Sequence, residues 1–169
     1  DFLHGETMGQ ALAGERDETT RHNLLHAFGQ TLRSIHQTPV PPALARPDRP
    51  WLDARLDEAA DNLARFPVDG SPALLDWLRR NQPPVVPPTL IHGDFTLDNV
   101  LVQEGRVSGI IDWSDGSLGD PRYDLALATR PDEGLFQSPA DFQAFAAGYG
   151  AGLPPAEIHE YFVGLYEFF

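Results

Sequence analysis

The sequence predicts an α+β domain, mainly α, with one small β-hairpin near its middle. Three observations predict it. Apolar residues recur at helical spacing on both flanks of the chain. Three short apolar, strand-like runs lie between Thr89 and Ile111. A proline block, Pro83 to Pro88, separates the first helical region from these runs.

The elements follow in order. From Asp17 to His36, residues Leu24, Leu25, Phe28, Leu32 and Ile35 share one helical face. Asp17 or Thr19 supplies the N-cap, and Pro39 marks the end. Pro39 to Pro50 reads as a proline-rich connector. A second helix runs from about Trp51 to Phe66, burying Leu52, Leu56, Ala59 and Leu63 and presenting Asp53, Asp57 and Asp61 on another face. Ser71 caps a third helix, with Pro72 at its first position and its end near Arg80. Strands follow at Thr89 to Ile91, Val100 to Val102 and Val107 to Ile111, the last two joined by the hairpin loop Gln103 to Arg106. After Asp124 the helical pattern returns. Phe142, Phe145 and Tyr149 form one stripe, and Ile158, Phe162, Leu165 and Phe169 another. Tyr161 to Phe169 reads as a helix that nothing ends, and residue 1 is Asp. The expectation is a piece of a longer protein, truncated at both ends.

At 169 residues the length suits a single domain with a sizeable core. Twenty-five acids against 12 bases give a net charge of −13, which disfavours nucleic acid and anionic membranes and favours cationic partners or metal ions. There is no cysteine, so disulfides, thiolate metal sites and cysteine nucleophiles are excluded. All twelve bases are arginine, which excludes a Schiff-base or phosphate-loop lysine within these residues. No apolar run reaches the length of a membrane span and no signal-peptide pattern opens the sequence, so the expected location is cytoplasmic.

The chemistry concentrates between Ile91 and Asp124. In the run His92-Gly93-Asp94-Phe95-Thr96-Leu97-Asp98-Asn99, Asp94 and Asn99 stand five apart between two apolar strands. Protein kinases use the same Asp-to-Asn offset. Phosphoryl transfer needs a carboxylate to orient the attacking hydroxyl and accept its proton, and a neutral oxygen ligand for magnesium beside the phosphates. Asp112 follows the hairpin and supplies a second, charged ligand. Magnesium takes hard oxygen ligands and keeps several waters, which suits Asn99 and Asp112 with phosphate oxygens of ATP.

Other residues carry blander readings. Asp94 and Asn99 alone could form an Asx-rich turn. His92 reads as structural and Asp98 as a solvated loop acid. His22 and His26 have the spacing of a zinc pair but lack a third ligand. Trp113 and the C-terminal aromatics read as core or groove lining. The Asp53, Asp57 and Asp61 stripe is either a polar helix face or the border of a pocket for a cationic acceptor, and Glu157, Glu160 and Glu167 share that ambiguity.

His92-Gly93-Asp94 with Asn99, Ile111-Asp112-Trp113, Gly119-Asp120-Pro121 and Asp124-Leu125-Ala126 together resemble the aminoglycoside phosphotransferase and choline kinase-like family. These are small-molecule kinases with a protein-kinase-like fold. The resemblance spans nearly the whole chain, as the family's C-terminal lobe, with the N-lobe absent. It implies a hinge at residues 1–6 and a helical C-lobe over 7–169, carrying the catalytic loop at 91–101 and the metal segment at 110–124. It implies Asp94 as the catalytic base, Asn99 and Asp112 as magnesium ligands, and His92 and Asp124 as supports of the loop. Asp1 and Leu3 in the hinge would touch the nucleotide. Asp53, Asp57, Asp61, Asp115 and Glu157 would face the acceptor. Gly119-Asp120-Pro121 follows Asp112 too closely for the activation segment of a protein kinase.

The implied function is ATP- and Mg-dependent transfer of a phosphoryl group to a hydroxyl of a small, aminoglycoside-, choline- or homoserine-like molecule. The implied nucleotide site is incomplete without a glycine-rich loop and a lysine, so these residues alone are expected to be inactive. The flank facing an N-lobe would expose apolar surface and invite a dimer or swap. A non-catalytic ligand- or partner-binding module and a metal-dependent phosphohydrolase are the alternatives.

Overall fold

The computed structural model describes residues 4–40, 49–130 and 136–169. Asp1, Leu3 and most of the Pro39–Pro50 connector lie outside them. The elements run β1 (Glu6–Thr7), α1 (Met8–Gly14), α2 (Glu18–His36), α3 (Trp51–Arg65), α4 (Pro72–Arg80), β2 (Thr89–Ile91), β3 (Val100–Gln103), β4 (Arg106–Ile110), β5 (Ser117–Gly119), α5 (Pro121–Ala128), α6 (Pro139–Tyr149) and α7 (Ala156–Tyr166). The α+β, mainly α expectation holds.

Caps set the helix starts. The Asp17 carboxylate accepts from the Thr20 amide, Ser71 from Leu74, and Asp120 from Arg122. Ser138 and Asp141 form a reciprocal capping box at α6. Proline follows the cap at α4, α5 and α6, where its missing N–H costs nothing. Glu18 in the first turn of α2 and Arg33 in its last turn complement the helix dipole.

Two antiparallel sheets result. One has the order β1-β3-β4 and the other pairs β2 with β5. The β3–β4 turn is tighter than the sequence suggests. Only Glu104 (φ 52°) and Gly105 (φ 73°) lie between the strands, the positive-φ pair of a type I′ turn.

The core has two parts. Leu24, Leu25, Phe28, Leu32 and Ile35 of α2 pack with Phe95, Val100, Val102 and Phe145. Phe28 stacks on Phe95 at 4.7 Å. Leu56, Leu75, Leu78, Ile91, Tyr123, Phe162, Leu165 and Phe168 form the second part. The segment from Ile91 to Val100 thus has one anchor in each. This gives its intervening polar residues a fixed frame.

Three details correct the sequence reading. β1, α1 and β5 join the expected elements. The last helix stops at Tyr166 rather than running on through Phe169. The turn beyond it buries Phe168 completely, while Phe169 is 38% exposed and its ring centre lies 3.5 Å from the Arg55 guanidinium carbon. Among the described residues no helix is long and apolar enough to cross a membrane.

Candidate active site

The site is built on the loop between β2 and β3. Its entry is held by Asp124, in the first turn of α5 and fully buried. The carboxylate accepts the His92 amide at 2.7 Å through Oδ2 and the Gly93 amide at 2.9 Å through Oδ1. His36 Nε2 lies 3.2 Å from Oδ2, and His36 Nδ1 lies 2.9 Å from the Tyr149 hydroxyl. Burial first, and then the Asp124 charge, push the Tyr149 phenol above its ordinary pKa. The Asp124 carboxylate can only accept, so His36 Nε2 presents its N–H to it, and with Nδ1 unprotonated the Tyr149 hydroxyl donates to that nitrogen.

His92 joins this loop to the end of β4. Its Nδ1 accepts the Asp94 amide at 3.3 Å, so its Nε2–H donates to the Ile111 carbonyl at 2.9 Å. The His92 ring is fully buried and tilts against Trp113 at 4.6 Å. Gly93 has φ +86°, and a side chain there would strike the backbone of Asp115. Glycine is what lets the loop and the 112–116 turn approach each other.

Asp94 and Asn99 meet directly. The Asn99 amide donates to Asp94 Oδ2 at 2.7 Å and to the Asp94 carbonyl at 2.8 Å. Both amide hydrogens are thus committed, and the Asn99 side-chain oxygen is left as an acceptor. Asp94 Oδ1 accepts from the Tyr166 hydroxyl at 2.8 Å. The Ile111 amide donates to the Asn99 carbonyl of the main chain at 2.9 Å, closing the hairpin where Asp112 begins. Asp112 is exposed, has φ 58°, and accepts from Ser114 Oγ at 2.9 Å. A non-glycine residue in the left-handed region is strained, and such strain gathers at functional positions.

The donor set bears on the metal. Among the described residues no three His, Cys, Asp or Glu side chains form a group that could hold an ion. Asn99 and Asp112 offer two oxygen-bearing side chains beside a closed hairpin. That suits magnesium, which takes one or two protein ligands and completes its shell with water and phosphate.

The remaining candidates scatter. Asp57 is spent on Arg49 at 2.8 Å and Arg79 at 3.3 Å, and Asp61 pairs with Arg65 on its own helix. Asp53 accepts from Gln82 and shares an open groove with Asp57, Arg49 and Arg79. Asp57 and Asp61 are thus paired with arginines, while Asp53, among the described residues, accepts only from Gln82. Asp115 accepts from Arg55 at 3.2 Å. Glu157 opens α7, nine residues before Tyr166 and therefore about 13 Å along the axis from the end that meets Asp94. The structure does not bring it to the carboxylate. Asp120 is the α5 N-cap and pairs with Arg122. His22 sits 3.5 Å from Asp141, and Asp98 accepts from the Thr7 hydroxyl at 3.3 Å. Tyr166 and Arg55 are not among the sequence candidates. Both reach the site from distant elements, and no local motif marks them.

Comparison with known proteins places these motifs in context. A model of the phosphotransferase enzyme family matches residues 1–159. An aminoglycoside 3'-phosphotransferase of Streptomyces fradiae is 32% identical, over 95% of this chain and 65% of its own length. A homoserine kinase of Methylorubrum populi is 31% identical, over 92% of this chain and 46% of its own. The crystal structure of an aminoglycoside-3'-phosphotransferase of type VIII superposes with a TM-score of 0.81 at 25% identity, covering 100% of this chain and 67% of that one. The chain spans about half to two thirds of the length of the aminoglycoside 3'-phosphotransferases and the homoserine kinase it matches.

Proposed function

The chain belongs to the phosphotransferase enzyme family, and from that premise we propose that it supplies the acid–base and metal-binding part of an ATP- and magnesium-dependent kinase for a hydroxyl of a small molecule. The observation that carries the reading is the Asp94 carboxylate, oriented by Asn99 at 2.7 Å in a loop that Asp124 and His92 hold rigid.

Asp94 takes the proton of the acceptor hydroxyl as that oxygen bonds to the γ-phosphorus and the bond to the β-phosphate oxygen breaks, releasing ADP. A bound magnesium ion would neutralise charge on the phosphates. Asn99 and Asp112 would hold it. The Asp124 bonds keep Asp94 from drifting, which matters because small misplacements of a reacting group cost rate steeply. The named activities of the relatives, aminoglycoside 3'-phosphotransferase and homoserine kinase, support a small polar acceptor. One structural neighbour, an aminoglycoside phosphotransferase of Streptomyces rimosus, is described in complex with ADP and streptomycin. The net charge of −13 favours a cationic acceptor.

The reading includes a nucleotide-binding lobe outside these 169 residues, because no lysine is present to grip the phosphates. Residues 1–6 are proposed as its hinge. The surface facing that lobe drives self-association when it is uncovered. Use of ATP fits a cytoplasmic location.

The test is turnover of Mg-ATP by the full-length protein against a panel of aminoglycosides, amino alcohols and other hydroxyl compounds. Phosphorylated acceptor is expected with wild type and is lost in Asp94→Ala. A folded protein with neither turnover nor Mg-dependent nucleotide binding overturns the reading and leaves a binding module.

A further inference from the structure

The Asp94 carboxylate has two oxygens, and only one is accounted for by its own loop. Oδ2 is held by Asn99. Oδ1 is held from α7, by the Tyr166 hydroxyl at 2.8 Å across 72 residues of sequence.

We infer that Tyr166 is a positioning residue for phosphoryl transfer: its hydroxyl clamps Asp94 Oδ1, so that Asn99 and Tyr166 together set the plane in which the carboxylate meets the acceptor hydroxyl.

The inference rests on the kinase reading of Asp94 given above. A carboxylate held at one oxygen still turns about its Cβ–Cγ bond, since that torsion is broad. Donors at both oxygens, from different elements, remove the freedom. Each oxygen retains a further lone-pair site, so the acceptor hydroxyl can bond beside the clamp. Tyr166 is itself well placed to hold still. Its neighbours Leu165 and Phe168 are fully buried, and the Arg130 guanidinium carbon lies 4.9 Å from its ring centre. Burial first, then the bond to Asp94 and its charge, push the phenol well above its ordinary ionisation range. It therefore remains a hydrogen donor at neutral and moderately alkaline pH.

The test uses the full-length protein and Tyr166→Phe, which keeps the ring and removes only the donor. The expected result is a fall in kcat of roughly ten- to hundredfold, with KM for Mg-ATP and acceptor within about twofold and an unchanged melting temperature. A kcat within about twofold of wild type overturns the inference. So does an effect confined to acceptor KM, which would make the phenol a wall of the pocket, or a gain in kcat/KM, which would make it a competitor for the base. A second measurement needs no turnover. In protein labelled with carbon-13 at tyrosine Cζ, assigned by its loss in Tyr166→Phe, the Tyr166 line is expected to move in Asp94→Asn. A line that stays overturns the clamp. Wild-type protein that phosphorylates nothing, with the line moving as expected, counts against the kinase reading while the clamp stands.

Discussion

Replacing Asp124 with Asn tests the support of the loop with almost no change of shape. The wild-type carboxylate receives three donors: the His92 amide, the Gly93 amide and His36 Nε2. An asparagine side chain offers one oxygen and one NH2 group. One backbone N–H of the pair must then face another donor, out of reach of bulk solvent, because residue 124 is 0% exposed. A buried unsatisfied donor costs about 1–3 kcal/mol, and loss of charge assistance on the surviving bond adds to that. A neutral amide is cheaper to bury than a charge, which offsets part of the loss. The net expectation is about 2–3 kcal/mol. For a chain of this size that lowers the melting temperature by roughly 4–12 °C. Thermal unfolding followed by circular dichroism reads the shift, and native-state hydrogen exchange reads the His92 and Gly93 amides, which are expected to lose protection. A melting temperature within about a degree of wild type, with those amides still protected, would refute the reasoning.

Other perturbations act elsewhere in the fold. Gly93→Ala forces a side chain into φ +86° and against the Asp115 backbone; denaturant melts are expected to show a loss of at least about 2 kcal/mol. Arg21→Met removes the guanidinium 3.2 Å from the buried Asp141 carboxylate and leaves it the Gln137 and Ser138 amides; urea unfolding is expected to show a loss of about 1.5–3 kcal/mol. His159 is held below its ordinary pKa by burial. The unfolded chain therefore binds the proton more readily, and stability falls as pH drops through 6.5 toward the folded value. His159→Gln is expected to flatten that part of the stability–pH curve.

Asp94, Asn99 and Asp112 are legible in the sequence because they stand in the order and offset that phosphoryl transfer requires, and the hairpin sets the spacing between them. The long helix is legible from its apolar stripe and from Asp17. α1 is not, because Met8–Gly14 spans two turns with glycine at Gly9 and Gly14, too short for a period to show. Its signal is the capping box from Thr7 to Gln10. β5 is hidden because three residues carry no pattern, and its pairing of Leu118 with Leu90 is settled by tertiary contact. Asp57 of α3 looks like an open acceptor ligand because its arginine partners, Arg49 and Arg79, come from outside the helix. The end of α7 is hidden because Phe169 continues the helical spacing of Ile158, Phe162 and Leu165 beyond the last helical residue. Only the turn after Tyr166 selects Phe168 for the core and leaves Phe169 at the surface.

The proposed function divides the labour between two carboxylates, with Asp94 serving the acceptor and Asp112 serving the metal. The direct measurement compares Asp94→Asn and Asp112→Asn in the full-length protein for both Mg-dependent nucleotide affinity and acceptor phosphorylation. Asp94→Asn is expected to keep nucleotide affinity within about twofold and lose on the order of 10²–10⁴ in turnover. Asp112→Asn is expected to weaken Mg-dependent binding as well as turnover. If Asp94→Asn weakens nucleotide binding as much as Asp112→Asn does, or retains turnover, the assignment of roles is contradicted.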